Sequence, residues 1–372
     1  MLSNNKIKDL KTLSVNKDED YLNYLPMKGK DNYIWNVIQI KKIENSDISI
    51  FCGKNKLDDK DIKIVKVINI DINKFEDKEY IKHVLKEINL FLSLSNYEYF
   101  PKKISVLISE DKNYLYLIIN ENIISINRII ISKIFNYLDD KNLVKWIIYQ
   151  IAFGIYILHS NNLIHHDIKP SNIYIDEIGG IRLYGFDNSI FKNEKSFQYA
   201  LPYSAPEILI GKIYIDEKVD MWSLGITLIE IFLKKDGFLY KEDIKDGEQQ
   251  LYYILEKLYG IKKKNYSIND LNDILNGNNN KKIKFKIDQK ILDEIKDKDA
   301  IFLLNNLLNF NPKERFTAKQ VLESDYLKEL FGIDSLDIKP IKFIIDNNEI
   351  NNKLEKKIFL ELISKIVGAN NY

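Results

Sequence analysis

The densest group of side chains able to do chemistry is His165-His166-Asp167-Ile168-Lys169-Pro170-Ser171-Asn172, followed shortly by Tyr184-Gly185-Phe186-Asp187. Asp167 offers a carboxylate that can accept a proton, Lys169 an ammonium that can offset anionic charge, and Asn172 an amide oxygen that can ligate a hard cation. Gly185 adds no ligand at all. Three stretches would position further groups. Trp146 to His159 reads as an apolar-rich helix leading directly into the His165 loop. Asp61 to Ile70 has the β-branched composition of a strand and carries Lys66. Tyr80 to Leu94 places Ile81, Val84, Leu85, Ile88 and Leu92 at helical spacing, with Glu87 on the same segment.

The order of these groups resembles that of the protein kinases. The loop before Asn172 is similar to the kinase catalytic loop, and Tyr184-Gly185-Phe186-Asp187 stands where kinases carry Asp-Phe-Gly, whose Asp holds Mg²⁺ against the ATP phosphates. Ile64-Val65-Lys66 looks like the strand with the phosphate-binding Lys, and Glu87 like the helical Glu that pairs with it. Ala205-Pro206-Glu207 resembles the end of the activation segment, Asp220-Met221-Trp222-Ser223-Leu224-Gly225 the long buried helix of the large lobe, and Arg315 the Arg that pairs with Glu207. Glu248 to Gly260, and Asn311 to Arg315 with Ala318 and Leu322, are similar to the later helices of cyclin-dependent and MAP kinases.

The resemblance implies an α+β, bilobal fold. A small β-rich N-lobe with one αC-like helix would span 31–119, a larger helical C-lobe 120–331, and a hinge Ile119 to Asn122. It also implies roles: Asp167 as the catalytic Asp, Lys169 as the Lys near the transferring phosphate, and Lys66, Glu87 and Asn172 at the ATP and Mg²⁺ positions. Phosphoryl transfer depends on positioning and on neutralising charge, so each part can be audited separately.

Several of these parts are changed. Gly185 replaces the metal-binding Asp. A metal bridge contributes several kcal/mol to the transition state, and ~4 kcal/mol is roughly a thousandfold in rate. Asp187, two residues on, reads as a turn Asp. Ile43, Asn45 and Ile48 stand where the phosphate-cradling glycines should be, and Ile40 to Cys52 contains no Gly in any register. Ile64 and Tyr174 add bulk to the roof and floor of the adenine slot, and Tyr184 adds more. His166 replaces the Arg that clamps a phosphorylated activation loop, and Ala200 the Thr that contacts the catalytic groups. By contrast His165, Phe186, Glu207, Asp220 and Arg315, which serve the fold, are kept.

The expected function is therefore that of a pseudokinase, with no resident cofactor and Asp167, Lys169, Lys66, Glu87 and Asn172 as vestiges. It would act as scaffold or allosteric partner of another protein, such as an active kinase or its substrate. One alternative is a divergent Ser/Thr kinase that uses those residues with ATP and Mg²⁺; the other is a nucleotide-binding switch without transfer.

Bulk properties agree with a globular chain. The 372 residues are 45% hydrophobic, and 55 basic against 54 acidic residues give a net charge of +1, which favours neither nucleic acid nor an anionic membrane. One cysteine, Cys52, allows no internal disulfide, and four histidines show no zinc-ligand spacing. No segment reads as a signal peptide or a membrane span, so the expected location is cytoplasmic or nuclear, not secreted. Residues 1–30 read as a polar extension. An insertion at about 236–299 contains the Asn-rich run Asn276 to Lys282, read as an exposed loop, and 332–372 read as a tail with helical spacing between Ile341 and Ile366.

Overall fold

Apolar periodicity of two builds one part of the molecule and periodicity of 3.6 the other. The structure, a computed structural model, describes residues 35–42, 48–55, 62–69, 78–102, 104–108, 114–119, 123–131, 138–262 (without 177, 193 and 196–199), 265–276, 285–328, 338 and 340–343. The expectations for the N-terminal extension, for residues 43–47, for the side chains of Ile48 and Ile64, for the centre of the hinge, for all but the first residue of the Asn-rich run and for nearly all of the tail lie outside them. The chain divides into two compact units, residues 1–124 with 176–182 and 341–372, and residues 125–175 with 183–340.

The first unit holds β1 (Trp35–Lys42), β2 (Ile48–Asn55), β3 (Ile62–Asn69), α1 (Lys78–Leu94), β4 (Ile104–Ile108) and β5 (Tyr114–Ile119). The strands form one antiparallel sheet in the order β1-β2-β3-β5-β4. Its register places Lys66 opposite Ile50 on β2 and Leu117 on β5. The expected helix is present as α1, and it buries Val84, Leu85, Ile88 and Leu92.

Beyond β6 (Ile123–Ser125), the helical unit begins with α2 (Ile126–Ile131) and α3 (Lys141–Ser160). Asp140 caps α3 by accepting hydrogen bonds from the backbone N–H groups of Asn142 and Leu143, which satisfies two otherwise orphaned donors. By length and composition α3 could cross a membrane, but 56% of its apolar window is buried inside the protein, as a core helix requires. After β7 (Leu163–Ile164), β8 (Ile173–Asp176), β9 (Ile181–Leu183), β10 (Ile190–Phe191) and α4 (Pro206–Leu209) comes α5 (Lys218–Leu233). Every residue of α5 from Val219 to Ile231 is buried, so it is the central helix of the unit. Gly225 permits close approach to its neighbour, since a Cβ there would lie 2.7 Å from the Leu308 side chain.

The segment 236–299 is largely helical: α6 (Gly247–Tyr259), capped by Asp246 and ended by left-handed Gly260, then α7 (Ile268–Asn276) and α8 (Gln289–Ile295). The chain closes through α9 (Lys298–Leu307), α10 (Ala318–Leu322) and α11 (Asp325–Lys328). Phe310 lies beyond the end of α9. Leu308 is the C-cap of α9, and Pro312 directs the chain into a short 3₁₀ turn.

Candidate functional site

In the first unit, Lys66 on β3 and Glu87 on α1 form an ion pair, with Lys66 7% and Glu87 1% exposed. Two charges removed this far from water are tolerated because each neutralises the other. This is the one pair of expected site residues in that unit; the remainder belong to the helical unit.

There the loop between β7 and β8 is organised by Asp220, in the first turn of α5. Its carboxylate accepts the backbone N–H of His165 (2.8 Å) and of His166 (2.7 Å) and meets His159 Nε2 at 2.8 Å. Burial works against its ionisation, yet the His159 hydrogen bond and the backbone N–H of His166 hold the carboxyl below the ordinary carboxylate value. His166 has φ +65°, a left-handed conformation uncommon outside Gly and Asn. Burial pushes the imidazoles of His165 and His166 below their usual pKa, which favours neutral rings. The His165 ring packs 5.2 Å from that of fully buried Phe186, and Ser189 Oγ donates to the His165 carbonyl at 3.1 Å.

The loop itself is closed by three side chains. Asp167 Oδ2 lies 2.8 Å from Lys169 Nζ and accepts Asn172 Nδ2 at 2.7 Å, while the same Nδ2 donates to the Asp167 carbonyl at 2.8 Å. Asp167, Lys169 and Asn172 are thus one cluster. Asp167 Oδ1 is buried and has no hydrogen-bond partner among the described residues. Asp167 borders a small hollow lined also by His166, Ala200, Tyr203, Ser204 and Ser223. Ala200 brings no hydroxyl to this hollow, and its carbonyl accepts Ser204 Oγ at 2.9 Å. Replacing Ala200 by Thr is expected to supply a donor to Asp167 Oδ1 and to stabilise the protein by about 0.5–1.5 kcal/mol in urea denaturation. No gain, or a loss, would show that the hollow cannot seat the hydroxyl.

Gly185 has φ +86°, and a Cβ on it would lie 2.4 Å from Asn172 Nδ2 and 2.6 Å from Asn172 Cγ. The Tyr184 backbone N–H donates to the Asn172 carbonyl at 2.8 Å, and the rings of Tyr174 and Tyr184 meet with centroids 4.7 Å apart. Asp187 sits in the short 3₁₀ turn Phe186–Asn188. Among the described residues no group of three or more His, Cys, Asp or Glu side chains could hold a metal ion. At the position where kinases carry the Mg²⁺-binding carboxylate, Gly185 supplies no ligand and is packed against Asn172, so the residues present do not match that donor set.

Residues 49–327 match the family model of the protein kinase domain. The chain belongs to the protein kinase family. It is similar to mitogen-activated protein kinase 13 of Arabidopsis thaliana, 25% identical over 326 residues that cover 84% of this chain and 85% of the relative. It is also similar to mitogen-activated protein kinase HOG1 of Colletotrichum orbiculare, 29% identical over 195 residues, 50% of this chain and 52% of that one. A third relative is the probable serine/threonine-protein kinase dyrk2 of Dictyostelium discoideum, 28% identical over 349 residues, 85% of this chain and 37% of that one. The chain spans about half the length of the fungal relatives it matches.

The kinase pair Glu207 and Arg315 is present, with Arg315 Nη1 and Nη2 donating to Glu207 Oε1 and Oε2 at 2.8 and 3.1 Å. One buried group escaped the sequence reading. Glu230 on α5 is fully buried; its Oε2 accepts Tyr203 OH at 3.0 Å and its Oε1 the Phe238 N–H at 2.8 Å. The available signal was a lone charge inside the apolar run Ile226 to Leu233. Burial, with Asp236 adding to it, pushes the Glu230 carboxyl up to about 7 despite these hydrogen bonds. A raised folded pKa stabilises fully below the unfolded value near 4.5 and loses that contribution as pH rises through 7. Glu230→Gln keeps the shape and can donate its amide to the Tyr203 oxygen, so its stability relative to wild type is expected to rise between pH 5 and pH 8. Parallel urea curves for the two proteins across that range would refute the shift.

Proposed function

We propose that this member of the kinase family is a pseudokinase that works inside the cell, through its surface, as scaffold or allosteric partner of another protein. The observation that carries the reading is the packing of Gly185 against Asn172 where a kinase places its metal carboxylate. The fold-bearing interactions of Asp220 and of Glu207 with Arg315 are complete, while the residue that would hold Mg²⁺ is missing. The partner would be a protein such as an active kinase or its substrate; relatives named as mitogen-activated protein kinases point toward signalling. The balanced charge of the chain supports a protein partner over nucleic acid or membrane.

Thermal unfolding with and without millimolar ATP and Mg²⁺ tests the reading. A ligand at 100 times its Kd stabilises by ~2.7 kcal/mol, a shift of several degrees. The expected result is no shift with any nucleotide or metal. A second reading, a divergent Ser/Thr kinase, draws on the buried Lys66–Glu87 pair and on the intact Asp167, Lys169 and Asn172 cluster. A Mg²⁺-dependent shift together with phosphate transfer abolished by Asp167→Ala would establish it. A shift without transfer would make the protein a nucleotide-binding switch.

A further inference from the structure

We propose that Asn172 and Gly185 form a steric lock, in which the Asn172 amide takes the place of a cation in closing the loop and leaves no room for any side chain at position 185. The proposal deepens the pseudokinase reading and explains why a single reversion would not undo it. Three observations converge. The Asn172 amide nitrogen bonds both the main-chain oxygen and Oδ2 of Asp167, so one neutral donor bridges two oxygens that face the same way. Lys169 Nζ supplies positive charge to the same Oδ2, and the carboxylate needs no metal for neutralisation on that side.

The amide also lies against Gly185. A Cβ there would sit 2.4, 2.6 and 2.9 Å from Nδ2, Cγ and Oδ1 of Asn172, all closer than real Cβ contacts. Asn172 cannot swing aside freely, since that would break both bonds to Asp167 at once. Its backbone is fixed as well, by the Tyr184 N–H on the Asn172 carbonyl and by the Asn172 N–H on the Lys169 carbonyl (2.9 Å). Restoring a carboxylate with Gly185→Asp therefore has to displace the amide that holds Asp167. Any side chain at position 185 has to compete with the Asn172 amide for the same space.

A double-mutant cycle of Gly185→Ala, Asn172→Ala and the pair, followed by thermal midpoint and by hydrogen exchange of the Tyr184 amide, separates the lock from backbone strain alone. Each single variant is expected to lower the midpoint by several degrees and to speed exchange at Tyr184. The double variant is expected to lose clearly less than the sum, because removing the amide also removes the clash. Additive losses would overturn the lock. If Gly185→Ala fails to fold, recovery of folded protein in the double variant supports the lock, and failure of both overturns it. Gly185→Asp is expected to show no shift with Mg²⁺ or Mn²⁺ in the presence of ATP, whereas a metal-dependent shift would also overturn it. These outcomes are independent of the wild-type nucleotide test: a wild-type shift would sink the pseudokinase reading while the cycle still decides the lock.

Discussion

Arg315→Met is expected to destabilise the helical unit by roughly 3–5 kcal/mol, because it leaves the Glu207 carboxylate buried with no counter-charge. Arg315 is 1% exposed and its donors are committed. Nη1 and Nη2 bind Glu207, Nη1 also reaches the Lys218 carbonyl at 2.6 Å, and Nε donates to the Asn309 carbonyl at 3.1 Å. Its guanidinium carbon lies 5.2 Å from the centre of the Trp222 ring. One planar cation thus fastens the start of α4, the start of α5 and the turn after α9, which are distant in sequence. Lys cannot reproduce this, since a single ammonium lacks the two-pronged geometry, so Arg315→Lys should fall between wild type and Met. Removing both charges in Glu207→Leu/Arg315→Met should recover part of the loss. Chemical denaturation of the four proteins measures this directly, and a loss under about 1 kcal/mol for Arg315→Met would mean that Glu207 finds water or another partner.

Local patterns carried much of this architecture. The strand run around Lys66 and the helix around Glu87 were readable because β-branched composition and 3.6-residue spacing are properties of a few adjacent residues. The Asp167, Lys169 and Asn172 cluster was readable because all three sit within one short turn. Arg315 and Glu207 were paired only through the kinase resemblance, as nothing in spacing links residues this far apart. The lock at Gly185 could not be read at all. The sequence showed a missing ligand there, but which side chain fills the space depends on how β8 and β9 return the chain beside Asn172. Glu230 was hidden for the converse reason: α5 is buried on every side, so no amphipathic pattern marks which of its residues meets Tyr203 and Phe238.

Asp220→Ala is expected to be as damaging as the loss of Arg315, and to act on the loop that carries Asp167. The carboxylate is fully buried and is the acceptor for two successive backbone N–H groups, those of His165 and His166. An unsatisfied buried donor costs about 1–3 kcal/mol, so two of them, with the His159 contact also gone, amount to roughly 3–5 kcal/mol. His166 adds to this, for its left-handed backbone is held in place by the N–H bond to Asp220 Oδ1. Asp220→Asn decides what matters. It has nearly the same shape and packing but turns one acceptor into a donor facing N–H groups, so it should lose most of the same stability. A near-neutral Asn variant would instead assign the role to packing. The pH dependence gives an independent check. The Asp220 carboxyl is held below its ordinary value of 3.8, so its contribution is complete above that pH and is lost as pH falls further. The Asp220→Asn variant should therefore show its full deficit above about pH 4 and converge on wild type as the pH falls below that into strong acid. A constant gap between the two across that range would show that the ionised form of Asp220 is not what the loop requires.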